Sequence, residues 1–252
     1  MKIRKLFTAA ALITGTLLSA QSAFAGDKIK IATEGAYAPF NMVDASGNLV
    51  GFDVDIANAL CAQMKADCEI VAQDWDGIIP GLRAKKYDAI IASMSITEER
   101  LRVVDFSDKY YSNLLAFVTA DGSAIETTKE GLKGKTVGAQ RATIAGQYLE
   151  DNLGDVVDVK LYDTQDNAYL DLKSGRLDAL LSDKLPAYDW LETDEGKGFA
   201  FTGEAIDIKD QIGIAVRKGD DLKGKFSAAI KAIVADGTYE KINAKYFPFS
   251  IY

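Results

Sequence analysis

The sequence contains no histidine and only two cysteines among its 252 residues. Histidine is the usual general base near neutral pH and the commonest metal ligand, so its absence excludes the familiar histidine-dependent catalytic and zinc sites. We therefore expect no metal site and no cofactor. Positive charge is also scarce, since 29 Lys and Arg face 37 Asp and Glu for a net charge of −8. This balance argues against nucleic acid as a partner.

Long apolar runs are rare, and the clearest one lies at the start of the chain. Three basic residues among the first five precede an apolar stretch from Leu6 to Ala20, and Ala23-Phe24-Ala25 follows it. This order is typical of a secretory signal peptide. The stretch is short for a membrane anchor, which needs roughly 20 apolar residues, although an uncleaved anchor is the alternative. We expect a signal peptide over residues 1–25 and a mature chain that starts at Gly26.

The two cysteines, Cys61 and Cys68, would reach a compartment where disulfides persist. On one unbroken helix their Cα atoms would be about 10 Å apart at roughly 1.5 Å per residue, whereas a disulfide needs roughly 7 Å or less. The helix must therefore end between them, and Lys65-Ala66-Asp67 is a suitable turn. We favour a disulfide over the alternatives of two free thiols or a metal pair.

Short β-like runs alternate with amphipathic helical ones, a pattern that predicts an α/β protein with largely parallel sheets. One predicted helix carries Val54, Ile56, Ala57 and Leu60 on a single face, with Asp53 placed to cap its start. The first strands and helices are predicted at Ile29–Ala32, Asp53–Met64, Glu69–Ala72, Asp76–Ala84 and Asp88–Ala92.

A second copy of the β-α-β unit follows about ninety positions later. Its elements are predicted at Val159–Leu161, Asp166–Lys173 and Asp178–Leu181, and the turns Lys85–Tyr87 and Gly175–Leu177 also correspond. We interpret this internal repeat, the ninety-residue echo, as two similar lobes. A chance resemblance between two ordinary β-α-β units is the alternative.

The C-terminal part adds a strand at Ile212–Val216 and helices at Leu222–Ala235 and Thr238–Tyr246. An even split would give the second lobe more elements than the first, so we expect this part to return to the first lobe. The chain then crosses between the lobes twice, near 111–115 and 210–213, which forms a hinge. We assign residues 26–111 and 212–252 to lobe 1, and residues 112–211 with the hinge segments to lobe 2.

The stretch Ser93–Arg100 is the most informative candidate for ligand binding, because sites in open α/β sheets lie beyond the carboxyl ends of strands. Hydroxyl groups, free N–H groups at a helix start and the guanidinium of Arg100 together suit a carboxylate. Alternatively, Thr97 only caps the helix and Arg100 pairs with Glu99 or Asp105 at the surface.

Four further residues could hold the rest of a ligand. Asp183 follows a second-lobe strand and could pair with an ammonium, so that Asp183 and Arg100 would grip a zwitterion from opposite lobes. It could equally cap the next helix. Glu34 supplies an anion beside Tyr37 and Trp75, whose rings could enclose a cationic tail. The alternative is that Glu34 is solvated and both rings only pack the lobe.

Five motifs make the sequence resemble a known family. They are EGAYAPF at 34–40, GFDVD at 51–55, WDGIIP at 75–80, SMSITEER at 93–100 and GRLDA at 175–179. From about Lys28 to Tyr252 the chain resembles the periplasmic polar-amino-acid-binding proteins of ABC transporters, especially the lysine/arginine/ornithine, histidine and opine branch. The resemblance implies a hinged, two-lobed periplasmic-binding-protein fold of type II, cluster-F-like, and a ligand held by its α-carboxylate and α-ammonium.

The resemblance also implies residue roles at the head of the ligand. Arg100 matches the carboxylate-binding arginine, Ser95 a residue with hydroxyl and backbone contacts, and Thr143 a second-lobe backbone segment. Ser93 and Asp183 match the groups that receive the ammonium.

At the tail, Glu34 matches the acidic residue of basic-amino-acid binders, and Tyr37 and Trp75 match the aromatic pair around the tail. Cys61 and Cys68 match the disulfide spacing of that branch. The complete candidate ligand-binding set is Glu34, Tyr37, Trp75, Ser93, Met94, Ser95, Arg100, Gln140, Thr143 and Asp183.

Two departures from the family pattern affect the expected ligand. Ala92 replaces a serine, and Gln140-Arg141-Ala142 replaces a more apolar, glycine-containing loop. These changes would enlarge or repolarise the tail pocket. An opine, with Arg141 or Gln140 on its extra carboxylate, is therefore a rival to arginine, lysine or ornithine, and histidine and glutamine are further alternatives.

The resemblance thus predicts a monomeric periplasmic protein that has no enzymatic activity and hands a small amino acid to the inner-membrane permease of an ABC importer. A cyclohexadienyl-dehydratase-like enzyme is the alternative of another class, in which Glu34 or Asp183 would move a proton. A chemosensory protein would use the same ligand site, so the sequence does not separate it from a transport protein.

Overall fold

A computed structural model of the chain describes residues 28–252. The predicted signal peptide over residues 1–25 and the expected mature start at Gly26 lie outside the described residues. Within the described part, no helix is both long and apolar enough to cross a membrane.

Strands and helices follow each other in the alternating order that the sequence predicts. The strands are β1 Lys28–Thr33, β2 Ala36–Tyr37, β3 Asn41–Val43, β4 Leu49–Val50, β5 Asp67–Ala72, β6 Ala89–Ile90, β7 Val104–Ala120, β8 Thr136–Gln140, β9 Asp158–Tyr162, β10 Ala179–Asp183 and β11 Phe199–Arg217. The helices are α1 Phe52–Met64, α2 Trp75–Arg83, α3 Glu98–Leu101, α4 Ile144–Leu153, α5 Gln165–Lys173, α6 Lys184–Leu191, α7 Leu222–Ala235 and α8 Thr238–Tyr246.

Eight of these strands form one mixed sheet in the order β5-β1-β6-β11-β7-β10-β8-β9, and β2, β3 and β4 form a small second sheet. β1 runs parallel to β5 and β6, and β8 runs parallel to β9 and β10. β7 and β11 are antiparallel to each other and to the strands beside them. Two parallel groups of three strands are therefore joined through two long antiparallel strands.

The two long strands carry the chain between the parallel groups. β7 has 17 residues and β11 has 19, whereas strands usually have about 3 to 10. Their pairing shifts register between Thr202 and Ile206, again before Asp210, and near Gly213. Such irregularities bend and twist a strand locally. The predicted crossings near 111–115 and 210–213 thus fall within continuous but irregular strands.

Side chains alternate between the two faces of the sheet, and helices cover both faces. In the first lobe, Ile31 of β1 packs in the cluster that includes α1, α7 and α8, while its neighbour Ala32 packs in the cluster with α2. In the second lobe, Leu181 of β10 packs with α4 and Leu180 packs with α5. This burial on both faces is why the parallel strands read as short apolar runs.

The ninety-residue echo is confirmed as two equivalent β-α-β units. β5, α2 and β6 of the first lobe correspond to β9, α5 and β10 of the second. The carboxylate of Asp88 accepts a hydrogen bond of 3.0 Å from the backbone N–H of Lys30. The carboxylate of Asp178, ninety positions later, accepts one of 2.8 Å from the backbone N–H of Thr136.

The disulfide prediction is confirmed. Helix α1 ends at Met64, and Lys65 adopts a left-handed conformation with φ of 55° that turns the chain back. Cys61 and Cys68 are then bonded with their Cα atoms 6.2 Å apart. The helix therefore ends between the two cysteines, as the geometric argument requires.

The prediction that Asp53 caps α1 is wrong. Gly51 occupies the capping position, with φ of 127° and no side-chain hydrogen bond. A Cβ atom at Gly51 would lie 2.3 Å from the carbonyl oxygen of Phe40, so the chain enters α1 pressed against that backbone. Asp53 consequently points inward and is fully buried.

Candidate functional site

A small cavity lies where the two lobes meet. Its lining residues are Glu34, Tyr37, Trp75, Ala92, Ser93, Ser95, Arg100, Gln140, Thr143, Ile144 and Asp183. Nine of the ten predicted ligand-binding residues are thus brought together. Met94 is instead fully buried in the core cluster of the first lobe that contains α2.

Parallel strands of both lobes end at this cavity. Glu34 follows the last residue of β1, while Gln140 and Asp183 are the last residues of β8 and β10. Trp75 is the first residue of α2, and Ser93 lies in the loop after β6. The cavity therefore occupies the position that the carboxyl ends of open α/β sheets provide.

Arg100 crosses the cleft at one end of the cavity. Its guanidinium donates to the carbonyl oxygens of Ser95, at 2.9 Å, and of Ala142 in the second lobe, at 2.8 Å. It also lies 5.4 Å from the ring centre of Trp75. Thr97 caps α3, but the alternative in which Arg100 pairs with Glu99 or Asp105 at the surface is wrong, because its guanidinium binds these two carbonyl oxygens instead. Burial lowers the pKa of Arg100, and the charges of Asp210 and Asp183 oppose that shift.

The start of helix α4 lies beside this guanidinium. Thr143 caps the ten-residue helix by accepting a hydrogen bond from the N–H of Gly146, and it donates to the carbonyl oxygen of Gln140 at 2.7 Å. Thr143 and Ile144 both line the cavity. A helix start and a guanidinium together favour an anion at this end.

Asp183 of the second lobe also lines the cavity. It occupies the capping position of α6 but makes no side-chain capping hydrogen bond. Its Oδ2 instead accepts from the hydroxyl of Tyr37 at 2.7 Å. Its Oδ1 is buried without a hydrogen-bond partner among residues 28–252. Burial and the neighbouring charge of Asp210 raise the pKa of Asp183 to about 7. A bound cation would supply the missing donor and the missing charge.

Asp210 is a second buried carboxylate near this end, and our sequence reasoning missed it as a site residue. It accepts from the hydroxyl of Ser95 at 3.1 Å and from the side-chain amide of Asn113 at 3.0 Å. Burial raises its pKa, while the amide of Asn113, the hydroxyl of Ser95 and the charge of Arg100 lower it. Its position within a predicted hinge crossing was the one available signal.

Glu34 of the first lobe is a further acidic residue in the lining. It is only 8% exposed, and its Oε1 accepts from the side-chain amide of Gln140 at 2.7 Å. Burial raises the pKa of Glu34 to about 7, the amide of Gln140 lowers it, and the charges of Asp166, Asp74 and Asp76 raise it further. Three acidic residues therefore contribute negative charge near Glu34.

Several interactions join the two lobes across the cleft. They include the contacts of Tyr37 with Asp183, of Glu34 with Gln140, and of Arg100 with the carbonyl of Ala142. An ion pair also forms between Arg141 of the second lobe and Asp76 of the first, and Arg141 pairs with Asp163 as well. The cleft is consequently in a closed arrangement.

Comparison with known proteins places this geometry in a family. Residues 29–249 match the family model of bacterial extracellular solute-binding proteins, family 3. The chain is 47% identical to the L-arginine-binding protein of Pseudomonas aeruginosa over 91% of this chain and 92% of that protein. It is 40% identical to the lysine/arginine/ornithine-binding periplasmic protein of Escherichia coli over 99% of both chains.

Solved structures support the same assignment. An ancestral arginine-binding protein bound to arginine matches with a TM-score of 0.83 and 38% identity, covering 88% of this chain and 99% of that one. The ancestral amino acid-binding protein AncCDT-1, a precursor of cyclohexadienyl dehydratase, matches with a TM-score of 0.78 and 30% identity, covering 87% and 95%. The predicted two-lobed fold is therefore confirmed. The chain belongs to the bacterial extracellular solute-binding proteins of family 3.

Proposed function

We propose that this protein captures a cationic L-amino acid, namely arginine, lysine or ornithine, by closing its two lobes, and delivers it to the permease of an ABC importer. The observation that carries the proposal is the polarity of the cavity. The donors of Arg100 and of the start of α4, the unpartnered carboxylate oxygen of Asp183 and the buried carboxylate of Glu34 all belong to its lining.

The head of the ligand is held at the Arg100 end. Its carboxylate binds the guanidinium of Arg100 and the start of α4, which already approach each other through the carbonyl of Ala142. Its ammonium donates to the free Oδ1 of Asp183, and pairing with this charge restores the ordinary low pKa of that carboxyl.

The tail of the ligand reaches Glu34 between Tyr37 and Trp75. The amide of Gln140 donates to Glu34, and a guanidinium or ammonium would replace this neutral donor with a charged one. The nearby charges of Asp74, Asp76 and Asp166 also favour a cation. Arg141 is engaged by Asp76 and Asp163, which argues against its binding the extra carboxylate of an opine.

The proposed location and partners follow from the family. Relatives include periplasmic proteins that bind arginine, lysine and ornithine, so we propose export by the signal peptide over residues 1–25, function in the periplasm as a monomer without enzymatic activity, and delivery to an inner-membrane permease. We further propose that lobe 1 comprises residues 26–111 and 212–252, lobe 2 comprises residues 112–211, and the lobes rotate about the irregular parts of β7 and β11.

A calorimetric ligand panel tests the proposal. Arginine, lysine, ornithine, histidine, glutamine and an opine should be titrated into the wild-type protein, with tight binding expected for the first three. Glu34→Gln should selectively lower the affinity for the cationic ligands. Glu204→Gln, at an exposed position, is the matched control. Tight glutamine binding without binding of any cationic ligand would refute the assignment of Glu34.

Proton transfer is a second candidate function, because AncCDT-1 is a precursor of a dehydratase and the pKa values of Glu34 and Asp183 are both about 7. A carboxyl group near that value can act as a general acid or base. Purified protein incubated with prephenate or arogenate decides this point. Consumption of either compound, abolished by Asp183→Asn, would support an enzyme and contradict a role in binding alone.

A further inference from the structure

Asp53 is a fully buried carboxylate directly behind the cavity. It accepts hydrogen bonds from the hydroxyl of Ser93 at 2.9 Å, from the side-chain amide of Asn41 at 2.9 Å, and from the hydroxyl of Tyr110 at 2.7 Å. Ser93 in turn lines the cavity. Asp53 therefore contacts the ligand site through another residue.

The direction of two of these hydrogen bonds is fixed by further contacts. The amide oxygen of Asn41 accepts from the backbone N–H of Gly35 at 2.8 Å, so its NH₂ group faces Asp53. The hydroxyl of Tyr110 accepts from the backbone N–H of Ser93 at 3.2 Å, so its own proton points to Asp53. Burial raises the pKa of Asp53 to about 6, and the three donors act against this shift. Asp53 is consequently an acceptor near neutral pH.

An ionised Asp53 determines what Ser93 can offer to the cavity. A hydroxyl has one proton and two lone pairs. Because an ionised Asp53 can only accept hydrogen bonds, the hydroxyl of Ser93 must donate to it. The lone pairs of the Ser93 oxygen are then available on the ligand side. An ammonium has three donors and no acceptor. Ser93 on one lobe and the free Oδ1 of Asp183 on the other are thus a matched pair of acceptors.

We propose that Asp53 is a positioning residue that holds the hydroxyl of Ser93 as a hydrogen-bond acceptor for the α-ammonium of the ligand. This inference rests on the proposed function, since it requires an α-amino acid in the cleft. Without Asp53, the hydroxyl of Ser93 is free to turn its proton toward the ammonium, where it opposes binding.

A double-mutant cycle tests the proposal. L-arginine and 5-guanidinopentanoic acid, which lacks the α-ammonium, should be titrated into the wild type, Asp53→Ala, Ser93→Ala and the double variant. We expect Asp53→Ala to lower the affinity for L-arginine about tenfold, or by about 1.4 kcal/mol. The affinity for the deaminated analogue should fall less than about twofold. In the Ser93→Ala background the same change should cost less than about twofold. Asp55→Ala, on the same helix, is the control and should alter neither affinity.

Two results would overturn the proposal: equal losses for both ligands, or an undiminished tenfold loss when Ser93 is already alanine. Failure of the proposed function gives a different result, because the wild type would then bind no basic amino acid. In that case the cycle is repeated with an α-amino acid that the wild type does bind and with the deaminated analogue of that amino acid. A wild type that binds no α-amino acid refutes both.

A second measurement needs neither a ligand nor a substitution of Asp53, in case Asp53→Ala does not fold. Carboxyl carbon NMR reports the pKa of Asp53 in the wild type and in Ser93→Ala. Loss of the donated hydroxyl should raise that pKa above its starting value of about 6. An unchanged pKa would show that Ser93 does not donate to Asp53.

Discussion

Lowering the pH should weaken the preference of the cleft for a cationic tail over a neutral one. In the closed cleft the pKa of Glu34 is raised to about 7 from its ordinary 4.5, mainly by burial. In an open cleft, water surrounds the carboxyl and the ordinary value applies. Closure on a neutral tail therefore takes up a proton. Closure on a cationic tail does not, because the tail favours the ionised carboxyl.

The sign of the effect follows from these two values. Above pH 7 the carboxyl of Glu34 is ionised in both states, so closure on a neutral tail buries an unpaired charge. As the pH falls from 7 towards 4.5, protonation of the closed state removes that cost. The full difference corresponds to about 3 kcal/mol. Linkage then predicts that affinity for a neutral-tailed ligand rises about thirtyfold between roughly pH 8 and pH 5.5.

L-citrulline, in which a neutral urea group replaces the guanidinium of arginine, provides the assay. Calorimetric titrations of both ligands over this pH range should show citrulline approaching arginine as the pH falls. Both ligands share one head, so titration of Asp183 affects them equally. Glu34→Gln should make the ratio of the two affinities independent of pH. A constant ratio in the wild type, or an unchanged pH dependence in the variant, would refute the reasoning.

Three further predictions concern separate parts of the molecule. Arg100→Ala should lower the affinities for arginine and for citrulline equally, by at least about thirtyfold in calorimetry, since loss of a buried charge partner costs about 2 to 5 kcal/mol. Unequal losses of affinity would contradict a role of Arg100 at the head that the two ligands share. Arg141→Gln removes the interlobe ion pair with Asp76, whose partners are 42% and 43% exposed. Ligand release in stopped-flow fluorescence should therefore accelerate by less than about fivefold, an effect absent at high salt, and salt-independent acceleration would argue against an ion pair. Replacing Cys61 and Cys68 by serine should lower the free energy of unfolding by about 2 kcal/mol, as urea denaturation can measure. Neither cysteine lines the cavity, so ligand affinity should stay the same, and a changed affinity would contradict this reasoning.

Elements with a clear hydrophobic period were predictable from the sequence, and the positions just beyond them were too. Helices α7 and α8 have the predicted bounds, and β1 and β10 differ from the predicted strands by a few residues at their ends. Because parallel strands all end at one edge, locating the strands was enough to bring Glu34 and Asp183 to the cavity. These inferences need only local patterns and one rule of topology.

Residues whose role depends on distant partners were not predictable in this way. Asp53 lies in the first turn of a helix, so its local sequence suggested a cap, yet its partner Ser93 lies forty positions away. Asp210 meets Asn113 across 97 positions because β7 and β11 are paired there. No periodicity encodes such contacts. The roles of both acids depend on their burial, which a single sequence does not reveal.

The two-lobed repeat explains how the cavity obtains its polarity. Ile31 of β1 lies beside β6 as Val137 of β8 lies beside β10, and the same offset of 106 positions relates Glu34 to Gln140. These equivalent residues meet across the cleft at one end. Ser93 and Asp183, related by the ninety-residue offset, both line the cavity.

Similar scaffolds therefore bring equivalent positions to the same cleft, and only the divergence of their side chains distinguishes its two ends. An acid at both members of the Glu34–Gln140 pair would bury two negative charges and would suit a dication. The glutamine at 140 leaves one carboxylate with one neutral amide, which matches the single positive charge of an arginine, lysine or ornithine tail. The charge of the preferred tail thus depends as much on Gln140 as on Glu34.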